Sequence, residues 1–176
     1  MILSYGGIIK EINTPNKNGD IENIVLNHKS NQEYLTDSFF MGAVIGRYAN
    51  RISNGRFNLN NVNVNLTQND NGNHLHGGHK GFSSKPWDIV DHKTNKLILS
   101  LESRDQDENY PGTLKTTVSY TINDLNELKV AFYAFSDKDT IINLTQHSYF
   151  NLNGNIGGDI LDHKIKINSN QITEIN

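Results

Sequence analysis

The sequence is constrained above all by what it lacks: no window of ten or more residues places apolar side chains at i, i+3, i+4 and i+7 with helix formers between them. What recurs instead is the short strand. Residues 96–101 (KLILSL), 114–122 (LKTTVSYTI) and 128–135 (LKVAFYAF) are rich in Val, Ile, Thr, Tyr and Phe, the residues that suit a pleated, half-buried surface. The last two are separated by the polar stretch 123–127, which reads as a turn. Residues 57–66 (FNLNNVNVNL) alternate apolar and polar with period two, and Asn60-Asn61 interrupts the alternation, so two strands should flank a tight turn there. Further strands are expected at residues 21–26 after the turn pair Asn18-Gly19, at 39–45 around the embedded Gly42, at 141–144 and at 164–167. Short strands at this spacing predict an all-β fold, an antiparallel β-sandwich, formed as one domain over residues 1–176.

Composition narrows the function classes. A net charge of -3 without a basic cluster offers no long-range attraction to nucleic acid or to an anionic membrane, so neither is an expected partner. Cysteine is absent, which removes disulfides and thiolate metal sites and agrees with a cytoplasmic location. The opening MILSYGGIIKEI has neither the basic start nor the small-residue cleavage site of a signal peptide, and no run is long enough to span a bilayer as a helix.

The candidate chemistry is concentrated in residues 46–82. Two arginines (Arg47, Arg51), three histidines (His74, His76, His79) and Gly77-Gly78 fall together there, and glycine pairs permit close backbone approach. In an extended HLH, His74 and His76 share one face. The strings GRYANRI, NHLHGG and GFSSKPW in this stretch, with TQHSYFNLNG at 145–154, resemble the aldose 1-epimerase (galactose mutarotase) family. The resemblance implies a galactose mutarotase-like supersandwich, incomplete in this chain because such proteins are about twice its length.

It also implies a reaction. Interconverting the α and β anomers of a free hexose requires a base at the C1 hydroxyl and an acid at the ring oxygen, with no metal and no cofactor. By resemblance His147 is the general acid, His76 a catalytic and sugar-contacting histidine, and Asn50 and Arg51 ligands of the sugar hydroxyls. Arg47 and His74 are assigned to structure and His79 to the surface, while Tyr149, Trp87 and Phe82 are candidates for an apolar platform under a sugar ring. The family's base, a glutamate, and a sugar-binding aspartate lie in its C-terminal half; Glu174 falls too early to match the former. The expectation is an N-terminal half that is inactive alone and that pairs through open strand edges with a C-terminal half or with itself. Two relatives of this reading remain, a non-catalytic carbohydrate-binding β-sandwich and a hexose-6-phosphate mutarotase. A cupin-like metal site built on HxH is disfavoured because Gly77, Gly78, His79, Lys80 and Gly81 supply no carboxylate after His76.

Overall fold

A computed structural model describes residues 1–155 and 157–172. Among these residues fourteen strands follow one another: β1 (Ile2–Leu3), β2 (Ile8–Ile9), β3 (Asn13–Pro15), β4 (Ile21–Asn23), β5 (Val44–Ile45), β6 (Arg51–Ile52), β7 (Arg56–Leu59), β8 (Val62–Asn65), β9 (His74–Leu75), β10 (Asp88–Lys93), β11 (Lys96–Ser103), β12 (Leu114–Ile122), β13 (Leu128–Ser136) and β14 (Thr145–Gln146). Among the described residues the only helices are four short 3-10 turns, and no helix is long and apolar enough to cross a membrane.

One layer of the sandwich is a four-stranded antiparallel meander in the order β10-β11-β12-β13. On β12 the alternation is strict: Leu114, Thr116, Val118 and Tyr120 are buried, and the residues between them are not. Their neighbours in register, Leu99 and Leu101 on β11 and Phe132 and Val130 on β13, continue the same inner face. Against it packs a second layer of two-stranded pairings, which contributes Ile9, Val25 and Val44 to the core together with Phe82 and Trp87. Two aromatic polar tips in this core reach backbone: Tyr120 Oη donates to Gly7 O at 2.6 Å and Trp87 Nε1 to Phe82 O at 3.2 Å.

The strands expected at 96–101, 114–122 and 128–135 and the β7–β8 hairpin are present, the latter closed by Asn60 and Asn61 at φ 51° and 65°, the left-handed pair that a two-residue hairpin needs. Of residues 21–26 only Ile21–Asn23 is strand, with Val25 in a single bridge to Phe150. Three further expectations are corrected. Only Val44–Ile45 of residues 39–45 is strand, because Phe40 and Gly42 take positive φ and turn the chain. Strand pairing next to residues 141–144 falls one step later, at β14, and Asn143 makes a single bridge to Tyr48. Residues 164–167 form no strand: Ile165 and Ile167 are 83% and 73% exposed and pair with nothing among the described residues. β10 went unanticipated because DIVDHK carries charge on both faces. That is an edge-strand composition, and a bulge between Ile89 and Asp91 twists it further.

At the other edge of the meander, β13 pairs with β12 alone among the described residues, and Tyr133 and Phe135 on its outer face are 70% and 62% exposed. The two faces of the sheet should respond differently to truncation. Leu99→Ala, which opens a cavity at the centre of the inner face, is expected to cost about 2–5 kcal/mol in urea unfolding. Tyr133→Ala should stay within about 0.5 kcal/mol; equal losses would contradict the assignment of faces.

Candidate active site

The site is built on a buried polar scaffold. Arg47 is 1% exposed, and its guanidinium donates to Ser103 Oγ (3.0 Å), Ser103 O (2.8 Å), Arg104 O (2.8 Å) and Pro111 O (3.1 Å) while lying 5.5 Å from the centre of the Tyr110 ring. Burial pushes this guanidinium below its ordinary pKa, and Asp107 opposes the shift. Asp107 also accepts from Ser103 Oγ at 2.5 Å and pairs with Lys85. His74 is fully buried beside it. Its Nδ1 donates to Thr67 O at 2.7 Å, a carbonyl that can only accept, so Nε2 must accept from Tyr110 Oη at 2.6 Å. Both ring nitrogens are therefore used, and His74 cannot ligate a metal without breaking the core. Arg47 and His74 are structural, as the sequence suggested.

The glycine pair permits a close approach within the chain itself. A Cβ on Gly77 would stand 1.8 Å from Gly46 O, and one on Gly78 would meet the Glu108 carboxylate at 2.2 Å. The close approach is thus to the chain's own backbone and to Glu108, whose Oε1 accepts from Lys80 N at 2.7 Å. Packing the turn this tightly fixes the direction in which His76 leaves β9.

Strand β9 ends at Leu75, and His76 is left-handed at φ 54°, so His74 and His76 do not share a face as an extended HLH would require. His74 turns into the core and His76 toward the segment after β5. There Asn50 and His76 bond reciprocally: His76 N–H donates to Asn50 O at 3.2 Å, and Asn50 N–H donates to His76 Nδ1 at 2.9 Å. The second bond settles the tautomer. With Nδ1 accepting, the neutral ring carries its proton on Nε2, which makes no hydrogen bond among the described residues. Burial, reinforced by His147 and Arg51, lowers the His76 pKa to about 4.

His147 arrives from the opposite direction. It follows β14 and is held by two backbone bonds, His147 N to Ala43 O at 2.8 Å and Gly42 N to His147 O at 3.0 Å. Its ring lies 5.4 Å from that of His76 at 84° and 5.0 Å from that of Tyr149. Neither of its ring nitrogens is hydrogen-bonded among the described residues. Arg51, on β6 beside β9, is half exposed and bonds Asp70 Oδ2 through Nε at 2.7 Å, leaving both terminal nitrogens without a protein partner among the described residues.

The structure therefore gathers Asn50, Arg51, His76 and His147 from two separate strand pairings, β6–β9 and β5–β14, into one neighbourhood. Trp87 and Phe82 are 3% and 1% exposed and belong to the core, so of the three platform candidates only Tyr149 borders the imidazoles. His79 is exposed. Glu174 lies outside the described residues. Two participants went unnoticed in the sequence, Asp70 and Phe40; the ring of Phe40 is 4.8 Å from His76 and 6.0 Å from His147. The doublet Phe39-Phe40 read as the start of a buried strand, and no local pattern marks Asp70 as the partner of a residue nineteen positions earlier.

A family model described as aldose 1-epimerase matches residues 1–176. The aldose 1-epimerase of Escherichia coli (strain K12) is 35% identical over 166 residues, covering 94% of this chain and 48% of that protein. The galactose mutarotase of Rattus norvegicus is 39% identical over the same length, with the same two coverages. A crystal structure of an aldose epimerase homologue from C. elegans superposes with a TM-score of 0.84 at 33% identity, over 87% of this chain and 47% of that one. The sandwich is thus of the galactose mutarotase type, and the chain spans about half the length of the curated relatives it matches.

The lowered pKa of His76 has a consequence for stability. An unfolded chain protonates this histidine near pH 6.5, whereas the folded chain keeps it neutral down to about 4, so the unfolded state binds the extra proton between these values. Stability contributed by His76 is complete above the unfolded pKa and is lost as pH falls toward the folded one. His74, lowered by its burial, acts in the same direction. Urea midpoints at about pH 7.5 and about pH 4.5 should differ less in His76→Gln than in the parent; an unchanged difference would mean that His76 is solvated.

Proposed function

The chain belongs to the aldose 1-epimerase family, and on that premise we propose that its site binds a free, unphosphorylated hexose, galactose or glucose, and supplies the acid and sugar-holding side of α/β anomer interconversion. The observation that carries this reading is the convergence of His76 and His147, 5.4 Å apart, beside Arg51. Ring opening needs a proton delivered to the ring oxygen as the C1 hydroxyl loses its own, and an imidazole is suited to that transfer near neutral pH. His147, with both ring nitrogens unengaged by the described residues, takes the role of acid. His76 is a neutral Nε2–H donor whose low pKa keeps it from titrating in the working range, which suits holding an oxygen better than shuttling a proton. Asn50 and the terminal nitrogens of Arg51 supply further donors for hydroxyls.

Arg51 is already paired with Asp70, which supports an uncharged sugar over a sugar phosphate. The base is the other half of the reaction. Among the described residues, the two carboxylates that border the site are committed, Asp70 to Arg51 and Asp37 to backbone amides of the turn at Phe40. The family resemblance assigns the base to a glutamate of the C-terminal half. In this reading the 176 residues alone bind sugar without turning it over, and the edge of β13, unpaired among the described residues, is a surface to which further strands, from such a half or from a second copy, would add.

Two measurements test the proposal. By calorimetry, Arg51→Ala and His76→Ala should each weaken galactose or glucose binding by about 1–3 kcal/mol, since each removes a donor from a partly dry cleft. Unchanged affinity with an intact circular dichroism spectrum would return both residues to structure. In a polypeptide that continues this chain through the rest of the family's length, His147→Asn should lower kcat about 100-fold or more with a smaller effect on KM. A variant that keeps over about half its turnover would remove His147 from the mechanism, and a parent without turnover would leave the sugar-binding module.

A further inference from the structure

Residues 37–41, of which 39–41 were expected to begin a strand, form a turn held by three hydrogen bonds. The carboxylate of Asp37, on a side chain 6% exposed, accepts Phe39 N–H through Oδ1 at 3.0 Å and Met41 N–H through Oδ2 at 2.7 Å. Tyr149 Oη donates to Phe39 O at 2.9 Å, while His28 Nε2 stands 3.3 Å from Asp37 Oδ1 without a hydrogen-bond partner among the described residues. Between these ties the backbone is left-handed at Phe40, φ 58°, a conformation that costs a residue with a Cβ about 1–2 kcal/mol. Such a conformation persists only where the surroundings impose it. Here the result is to lay one side of the Phe40 ring on the second core cluster (Ile8, Tyr34, Ala43, Ile45, Ala49) and the other on the imidazoles. It meets His76 edge-on, at 76°, and His147 at 39°. Tyr149 joins the two arms of this arrangement, because its hydroxyl anchors the turn while its ring flanks His147.

We propose that Phe40, pinned by Asp37, is a positioning residue of this site: its ring sets the mutual orientation of the His76 and His147 imidazoles and shields their common apolar side from water. The inference deepens the sugar-binding reading, and its value to function rests on that reading. The physical basis is local. Each imidazole is fixed at its root, His76 by the Asn50 clamp and His147 by the Gly42 and Ala43 backbone, but each ring needs a wall to hold its plane. Phe40 touches both. The charged and titratable groups facing His76 are His147, Arg51 and Asp70. Phe40 carries no charge, so a change in His76 titration on replacing it reports the loss of its cover together with any reorientation of His147, the two things its ring is proposed to govern.

The test reads the imidazoles directly, by long-range proton–nitrogen NMR on the 176-residue chain across a pH titration, with no sugar present. In the parent, His76 should remain in the Nε2–H form through neutral pH. In Phe40→Ala its titration midpoint should rise by about one pH unit or more toward the solvated value, because water reaches the ring. Phe40→Tyr, which keeps the ring, should hold the parent midpoint, and Asp37→Ala, which frees the turn, should move it as Phe40→Ala does. Phe40→Val carries the same comparison if the alanine variant does not fold. A folded variant lacking the ring with the parent midpoint, or a tyrosine variant displaced as far as alanine, would overturn the proposal. Because sugar is absent, the outcome stands independently of whether the chain binds a hexose.

Discussion

A guanidinium taken wholly out of water must find its hydrogen bonds inside the protein, and the way Arg47 does so organises the surrounding chain. Its donors close on Ser103, Arg104 and Pro111, which ties the segment after β5 to the end of the long central strand β11 and the loop that follows it. The backbone on either side of Arg47 is tied as well: Gly46 O accepts from Phe82 N and abuts Gly77, while Arg47 O accepts from Asn143 N. One buried cation thus fixes the position of the HGG turn, the Asn50-Arg51 pair and the approach to β14. Leaving such a charge without its partners would cost several kcal/mol, so these pieces have little freedom to move separately.

From that anchor the geometry of the site follows in steps. The meander presents a rigid inner face, short strands are seated on it, and three of the four site residues lie just beyond the ends of those short strands, Arg51 being the first residue of β6. His76 comes one residue after β9, His147 one residue after β14 and Asn50 one residue before β6. Positions at strand ends are released from the two-face alternation, so the side chains can be aimed by turns. The left-handed backbones of Phe40, Asn50 and His76 are how that aiming is done. The polar network then divides the histidines by role: His74 uses both nitrogens internally, His76 uses one, and His147 uses neither among the described residues.

Much of this was legible in the residues. The β12 alternation and the Asn60-Asn61 turn are local patterns, and local patterns survive into the fold. Asn50, Arg51, His76 and His147 were named from motifs, and the structure brings them together although the two histidines lie far apart in the chain. What was not legible depends on contacts that no window contains. Phe40 looked like strand because its neighbours are apolar, yet Asp37 captures the amides of Phe39 and Met41 and bends the chain there. Trp87 and Phe82 were only candidates for a platform, and it takes the fold to show that both rings are spent on the core. β10 was hidden by its charges, and residues 164–167 show the reverse error, an apolar alternation that pairs with nothing among the described residues.

The central claim proposed is that these residues hold a sugar and donate a proton, and that among the described residues no carboxylate bordering the site is free to take one. The most direct measurement is the optical rotation of freshly dissolved α-galactose with the isolated, monodisperse 176-residue chain. The account predicts decay at the spontaneous rate, even when calorimetry shows the sugar bound, because losing one partner of a concerted acid–base pair removes orders of magnitude of rate. Acceleration by the chain alone would contradict it, and would mean that Asp70, Asp37 or another carboxylate of this chain leaves its present partners to act as base.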